Sequence, residues 1–108
     1  MPCPSTESGA MTATPILHIV RVDIDPAHED AFNTWYTEVH VPALLGCPGW
    51  LSARRYLSLE GGPKYVAIYE IAGDWVYETP EFLAVKGFME FTPHVANFKR
   101  LRLKAIEA

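Results

Sequence analysis

One helix with an aromatic face constrains the fold of this chain more than any other segment. Four apolar residues recur at the i, i+3, i+4, i+7 spacing of a single helix face: Phe32, Trp35, Tyr36 and Val39. Pro42 disfavours helical geometry at the residue before it, so we expect the helix to end or kink beside His40. A histidine at the border of an apolar helix face is a candidate functional residue, because its imidazole titrates near neutral pH.

The segments around this helix predict strands and a second helix. The hydrophobic pattern predicts four strands. In each of them, apolar and polar residues alternate or both faces are largely apolar: 16–24, 50–59, 65–71 and 98–106. Helix starts are indicated at Asp25-Pro26 and Thr79-Pro80, where a capping residue precedes proline and an acidic first turn. Gly61 and Gly62 lie in a predicted hairpin turn. The resulting order βαββαβ predicts an α+β fold of the ferredoxin-like type, an antiparallel four-stranded sheet with its helices on one face.

Length and composition limit the classes of function. A chain of 108 residues forms one domain, which we place at residues 15–108, after a Pro, Ser and Thr-rich tail of residues 1–14 that we expect to be mobile. Because 49% of the residues are hydrophobic, we expect a homodimer that hides the excess apolar surface. A net charge of −4 argues against nucleic-acid binding, and no apolar run reaches the roughly 20 residues of a membrane span. Cys3 and Cys47 form no disulfide pattern, so reduced thiols and a cytoplasmic location are expected.

Two histidines are the candidate catalytic residues. His40 can reach a space between helix and sheet as a general acid or base, or it can cap the helix carbonyls beside Pro42. His18 shares a predicted strand face with Val20 and Val22, where it is either a satisfied core residue or a second catalytic group.

Aromatic and cationic residues complete the candidate binding site. Arg55 lies among apolar neighbours, so we expect an anionic partner, either a carboxylate such as Glu70 or a substrate. His94 either closes the pocket or lies in a surface loop. Aromatic side chains can line a slot for a flat ligand, or they can be core and dimer contacts. The candidate substrate-binding residues are Trp35, Tyr36, Arg55, Tyr65, Tyr69, Phe88 and His94, with Trp50 as a further wall.

The spacing of the remaining groups indicates neither a metal nor a cofactor. The four histidines have neither the helix-face pairing nor the Cys/His spacing of a zinc site. No glycine-rich phosphate loop and no Gly-x-Ser-x-Gly nucleophile motif is found in the sequence. We therefore predict no metal site and no bound cofactor.

Three stretches resemble the EthD-like proteins of the dimeric α+β barrel superfamily: Phe-x-x-Trp-Tyr-x-x-x-His-x-Pro at 32–42, Pro-Gly-Trp-x-x-Ala-Arg-Arg-Tyr at 48–56 and Tyr-x-Ala-x-Tyr-Glu at 65–70. The resemblance covers roughly residues 15–106. It implies two ferredoxin-like sheets packed face to face across a dimer axis, with a pocket between sheet and helices in each protomer. His18 also resembles the pocket histidine on the first strand of a plant polyketide cyclase of this superfamily.

The superfamily contains several classes of function, so the fold alone does not select one. Our first hypothesis is a cofactor-independent enzyme that acts on a small aromatic or polyketide-like molecule by histidine acid/base catalysis, as a cyclase, isomerase, dehydratase or lyase. The alternatives are a cofactor-free monooxygenase of a phenolic substrate, and a non-catalytic barrel that binds a small ligand or haem.

Overall fold

A four-stranded antiparallel sheet organises the protein. The computed structural model describes residues 16–106, so the predicted tail of residues 1–14 lies outside the described residues. The strands are β1 (Ile16–Ile24), β2 (Trp50–Leu57), β3 (Tyr65–Ile71) and β4 (Val95–Lys104). Their spatial order is β2-β3-β1-β4, and every neighbouring pair is antiparallel. This order confirms the predicted ferredoxin-like α+β fold.

The helices are short and connect the strands on one face of the sheet. Helix α1 (Glu29–Trp35), a π-helical turn (Tyr36–His40) and α2 (Val41–Leu45) join β1 to β2. Helix α3 (Pro80–Val85) lies between β3 and β4. Three 3₁₀ turns flank these helices at Pro26–His28, Asp74–Glu78 and Met89–His94.

Side-chain caps fix both predicted helix starts. The Asp25 carboxylate accepts a hydrogen bond from the backbone N–H of Ala27 at 3.0 Å. The hydroxyl of Thr79 accepts one from the N–H of Phe82 at 3.1 Å. Each bond satisfies a backbone donor that has no partner inside its helix, as the sequence predicts.

The first helix does not end at His40, which corrects that part of our prediction. Val41 keeps helical geometry, with φ −62° and ψ −48°, and the chain stays helical to Leu45. Pro42 has no N–H to donate, and its ring conflicts with the carbonyl four residues earlier. The helix widens by one residue there: the N–H of Val41 donates to the carbonyl of Tyr36, five residues earlier. The proline is therefore accommodated by a π-helical turn rather than by a break.

A bulge in β2 changes which residues share a sheet face. Trp50 pairs with Ile71 and Ser52 pairs with Glu70, so Leu51 is an extra residue between them. Regular alternation would separate Trp50 from Arg55, whereas the bulge puts both on the helix-covered face. Beta-bulges have no reliable sequence signal in a segment of this kind. Strand ends also differ from the predicted ones, with β2 ending at Leu57 and β4 beginning at Val95.

The other sheet face has many apolar residues among its charged ones, and no helix within residues 16–106 lies over it. Residues of this face come from all four strands and include Leu17, Ile19, Tyr56, Val66, Ile68, Leu101 and Leu103. In the single protomer Leu101 is 54% exposed. Exposed apolar surface of this extent on a small domain marks an interaction face. No helix among the described residues is long and apolar enough to cross a membrane.

We expect this face to pair two copies of the chain, as the resemblance implies. Light scattering should give the mass of a dimer, and Leu101→Glu should weaken dimerisation by about 100-fold or more, because a buried, unpaired carboxylate costs several kcal/mol. Leu83→Glu is the matched control, since Leu83 is 51% exposed on α3, away from this face. A wild-type monomer would contradict the expectation.

Candidate functional site

A cavity of about 170 Å³ lies between the sheet and its helices. The sheet side of its wall comes from β1, β2 and β3 and contains His18, Val20, Trp50 and Tyr69. The helix side contains Tyr36, His40, Leu44 and Phe82. Lys86, Gly87, Phe88, Phe98 and Arg100 complete the lining. The cavity therefore combines two histidines and two tyrosines with a mostly aromatic wall.

The π-helical turn holds His40 in the cavity wall. The His40 ring stacks on Trp35, with ring centroids 4.8 Å apart and planes 18° from parallel. In an α-helix, residues five apart point about 140° away from each other. The wider turn brings these two rings onto the same side, and His40 is only 6% exposed. Within residues 16–106 no hydrogen bond to the His40 ring is found, burial alone shifts its pKa, and the ring lines the cavity.

Burial keeps the His40 imidazole neutral. Desolvation lowers its pKa from 6.5 to about 4. At physiological pH the neutral His40 imidazole can accept a proton. Only a small fraction of the protein molecules have a protonated His40 ring that could donate one. This corrects the expectation, based on an ordinary imidazole, of a group that titrates near neutrality.

His18 lies on β1 with its ring in the same cavity. Its Nδ1 shares a hydrogen bond of 2.7 Å with the hydroxyl of Tyr77. Its pKa is lowered from 6.5 to about 4, mainly by burial and further by the charges of Arg100 and Arg102. His18 is thus a second neutral imidazole, and Tyr77 orients it. Sequence reasoning missed Tyr77, which lies within the 3₁₀ turn Asp74–Glu78 and belongs to no amphipathic pattern.

Two tyrosine hydroxyls meet in the cavity wall. Tyr36 and Tyr69 share a hydrogen bond of 2.8 Å. Burial is the main cause that raises the pKa of both phenols, so both stay protonated at neutral pH. In such a pair one hydroxyl donates to the other, and the accepting hydroxyl keeps its own proton to donate elsewhere. A ligand oxygen that gains negative charge would be a suitable acceptor.

Arg55 does not line this cavity and does not pair with Glu70. Its guanidinium donates to the side-chain oxygen of Asn33 at 2.9 Å and to the hydroxyl of Thr37 at 3.1 Å. It also lies over the ring of Tyr36, 4.5 Å from the centroid. Glu70 lies on the opposite sheet face. Arg55 therefore ties β2 to the start of the π-helical turn, and its partners are neutral oxygens and an aromatic ring rather than an anion.

Two predicted aromatic contacts also lie outside the cavity lining. Trp35 backs the His40 ring instead of facing the cavity. The hydroxyl of Tyr65 donates to the carboxylate of Glu29 and accepts from the amide of Asn33 at 3.1 Å. Both residues thus support the helix that carries His40. Phe88 lines the cavity as predicted.

His94 lies away from the cavity and stacks on His28, with ring centroids 3.6 Å apart and planes 18° from parallel. The ligand atoms of these rings and of Asp25 lie within 4.8 Å of one another. The sequence did not suggest this grouping, because residues 28 and 94 are distant in the chain. Ligand lone pairs lie in the ring plane, so two nearly parallel stacked rings do not direct their nitrogens at one ion.

Several lining residues had no sequence signal for a cavity. These are Leu44, Phe82, Lys86, Phe98 and Arg100. The alternation of charged and apolar residues over 99–104 gives the last strand one charged face, which by itself does not indicate a cavity. The register pairs Arg100 with Val20 and Arg102 with His18, so the charged face of β4 is on the same side of the sheet as the cavity, and both arginines are exposed there. Only the strand pairing reveals this.

The comparisons with known proteins support the fold. No protein-family model and no curated protein sequence matches the chain. An EthD-family protein from Bacillus halodurans matches with a TM-score of 0.62 and 13% identity, covering 84% of this chain and 99% of that one. An antibiotic biosynthesis monooxygenase matches with a TM-score of 0.65 and 18% identity, covering 85% and 99%. The haem degrader MhuD from Mycobacterium tuberculosis, solved with two haems in its active site, gives a TM-score of 0.65 and 14% identity, covering 87% and 98%.

These similarities establish the class of protein by its fold. The chain has the ferredoxin-like α+β fold of EthD-family and antibiotic biosynthesis monooxygenase structures, as the sequence resemblance implied. At 13–18% identity the likeness does not extend to an activity.

The neutral state of the histidines makes stability depend on pH. Both have pKa values of about 4 in the folded state, against 6.5 ordinarily. The contribution of each histidine to the free energy of unfolding is fully present above pH 6.5 and is lost as the pH falls toward 4. The loss is about 1.4 kcal/mol per pH unit, because in this range the unfolded chain binds the proton and the folded chain does not. When the free energy of unfolding is measured by urea at several pH values, His40→Gln should reduce the slope of that free energy against pH below pH 6.5 by that amount. An unchanged slope would contradict the neutral assignment.

Proposed function

We propose that this protein is a cofactor-independent enzyme that transfers protons on a small aromatic or polyketide-like molecule. The observation that carries the proposal is the state of His40: a buried, neutral imidazole with no hydrogen-bond partner in the described chain, in the same cavity as the Tyr36–Tyr69 hydroxyl pair. A free base next to phenolic donors suits chemistry in which a proton leaves carbon and charge moves to oxygen.

The size of the cavity favours a ligand built on one aromatic ring. A protein cavity of about 150 Å³ holds benzene, and this one measures about 170 Å³. Trp50 and Phe82 stack 5.2 Å apart in the wall, and Phe88 adds an edge. Flat apolar walls of this kind match an aromatic or conjugated ligand.

The residues divide into roles that balance one proton. His40 removes a proton from a carbon next to a carbonyl group of the bound molecule, and the electron pair of the broken C–H bond moves onto the carbonyl oxygen as an enolate. The free phenolic proton of the tyrosine pair stabilises that oxygen. The imidazolium that forms at His40 then returns the proton to another atom of the substrate. Cyclisation, isomerisation, dehydration and carbon–carbon cleavage all use this sequence of transfers.

His18 is the second base in the proposal. The hydrogen bond to Tyr77 fixes its ring, which lies edge-on to Trp50 with centroids 5.3 Å apart. A histidine that has both an aromatic contact and a hydrogen bond at one ring nitrogen keeps one orientation, so it can relay a proton without a rotamer change. It acts through its other ring nitrogen, Nε2.

A cofactor-free monooxygenase is the second candidate. A neutral base that deprotonates a phenol, in an apolar cavity, is also what activation of a phenolate toward oxygen requires. The structural similarity to an antibiotic biosynthesis monooxygenase favours keeping this reading. Oxygen consumption separates the two, since proton transfer alone uses none.

A ligand-binding or haem-binding barrel is the third candidate. A haem does not fit: the cavity of about 170 Å³ is smaller than the roughly 300–1,000 Å³ of pockets that enclose drug-sized ligands. We therefore derive no step through haem. A protein that binds a small ligand without turnover would show the same occupancy with no proton exchange.

A reducing compartment suits the thiol at the end of α2. Cys47 is a buried free cysteine, and its thiol donates to the carbonyl of Ala43 at 3.4 Å. Free thiols persist where glutathione and thioredoxin keep them reduced. We accordingly propose that the enzyme acts in the cytoplasm, as a homodimer formed through its open sheet face.

Replacement of His40 tests the proposal. The assay is deuterium exchange at the acidic carbon of a phenyl-substituted 1,3-diketone, followed by NMR. His40→Ala should slow enzyme-dependent exchange by about 10²–10⁴-fold, the usual effect of losing a general base. His40→Gln should do no better, since an amide hydrogen-bonds but does not accept the proton.

Controls separate this role from a general loss of structure. His28→Ala lies outside the cavity and should retain wild-type exchange. The wild-type rate should be level through neutrality and fall only as pH approaches about 4. Exchange that survives in His40→Ala would disprove the assignment of His40 and favour His18.

A further inference from the structure

We propose that the cavity recognises an anionic ligand, and that Arg100, assisted by Lys86, binds its carboxylate. The ligand class is then a small aromatic carboxylic acid. This inference rests on the proposed function, because it assumes that the cavity is the substrate site. Beyond the proposed function, the substrate is expected to have a negative charge, and Arg100 is the residue that recognises this charge.

The charges around the cavity are unbalanced. Two of the lining residues are cations, Arg100 and Lys86, and none of the lining residues is an aspartate or glutamate. The chain as a whole has a net charge of −4, so this positive patch runs against the overall field. A bound carboxylate would balance it locally.

Arg100 and its neighbour Arg102 provide an internal comparison. Both guanidinium groups lie over the Tyr77 ring, 5.6 Å and 5.9 Å from its centroid. Arg102 forms a salt bridge with Asp74, whereas Arg100 has no such partner among residues 16–106. Only Arg100 lines the cavity. The ring of Tyr77 therefore lies against a guanidinium at the cavity whose N–H groups have no partner within residues 16–106.

A guanidinium is a suitable partner for a carboxylate. Its planar N–H donors match the two carboxylate oxygens, and the charge strengthens both hydrogen bonds. The field of the two arginines already reaches into the cavity, since it contributes to the lowered pKa of His18. An anion held at Arg100 offsets that field, so substrate binding would make His18 a stronger base.

The proposal also fixes the orientation of the substrate. Arg100 is exposed, so it lies where the cavity meets solvent, whereas His40 is buried. A carboxylate at Arg100 would place the aromatic ring inward, between Trp50 and Phe88. The reacting carbon or hydroxyl would then face the histidines.

A matched pair of ligands and a matched pair of variants test this inference. Benzoate and benzamide have nearly the same shape and differ in charge. Calorimetric titration of the wild-type protein should show that benzoate binds at least about tenfold tighter, a difference of about 1.4 kcal/mol. Added salt should reduce this preference, because the contact is partly exposed.

Arg100→Gln should abolish the preference for benzoate, while Arg102→Gln, which removes the paired neighbour, should retain it. Equal affinity of the wild-type protein for both ligands, or equal loss of preference in both variants, would overturn the anion site. Failure of both ligands to bind would also overturn it, since the ligand class would be wrong. The diketone exchange assay is independent of this result, because its substrate is uncharged, so failure here leaves the His40 assignment to its own test.

Discussion

The proline in the middle of the first helix is the constraint on which the site depends. Pro42 cannot donate the hydrogen bond that an α-helix requires at its position, and the helix responds by widening into a π-helical turn over Tyr36–His40. That turn puts His40 over Trp35 and into the cavity wall. Arg55, bonded to Asn33 and Thr37, holds the start of the turn against the sheet. The local backbone thus decides which side chain the cavity receives.

Burial is the common physical cause behind the chemistry of the cavity. Desolvation disfavours charge on the buried histidines and tyrosines of the wall, so it lowers the pKa of both histidines and raises the pKa of Tyr36 and Tyr69. The result is two neutral bases and two neutral acids side by side. The charged residues of the lining are Arg100 and Lys86, and an anionic substrate can neutralise their charge. The proposed reaction would use both parts of the cavity wall: the neutral histidines and tyrosines for proton transfer, and the two cations for substrate binding.

Most of the fold was predictable because its signals are local. The caps at Asp25 and Thr79, the hairpin turn and the presence of four strands each depend on a few adjacent residues, and these agree with the structure. The errors arise where geometry depends on the partner strand or on one inserted residue. The bulge at Leu51 reverses a strand face. Where the sequence predicts that the helix ends or kinks beside His40, a π-helical turn lets the helix continue to Leu45.

The site was predictable only in part, for the same reason. His18, His40, Tyr36, Tyr69 and Phe88 line the cavity as predicted. Arg55, Tyr65 and Trp35 lie behind it, since hydrogen bonds to the helix or stacking on His40 draw them away. Arg100 and Tyr77 come from segments whose own sequences look like a solvated strand and a turn. Tertiary pairing alone brings them to His18.

The central claim is that the π-helical turn buries His40 as a neutral base, and imidazole nitrogen-15 NMR tests it most directly. The chemical shifts of the two ring nitrogens report the protonation state of each histidine across a pH series. The His40 nitrogens should keep the pattern of a neutral ring from pH 8 down to about 5, because the pKa of the buried ring is about 4. A His40 ring that instead titrates near its ordinary pKa of 6.5 would contradict it.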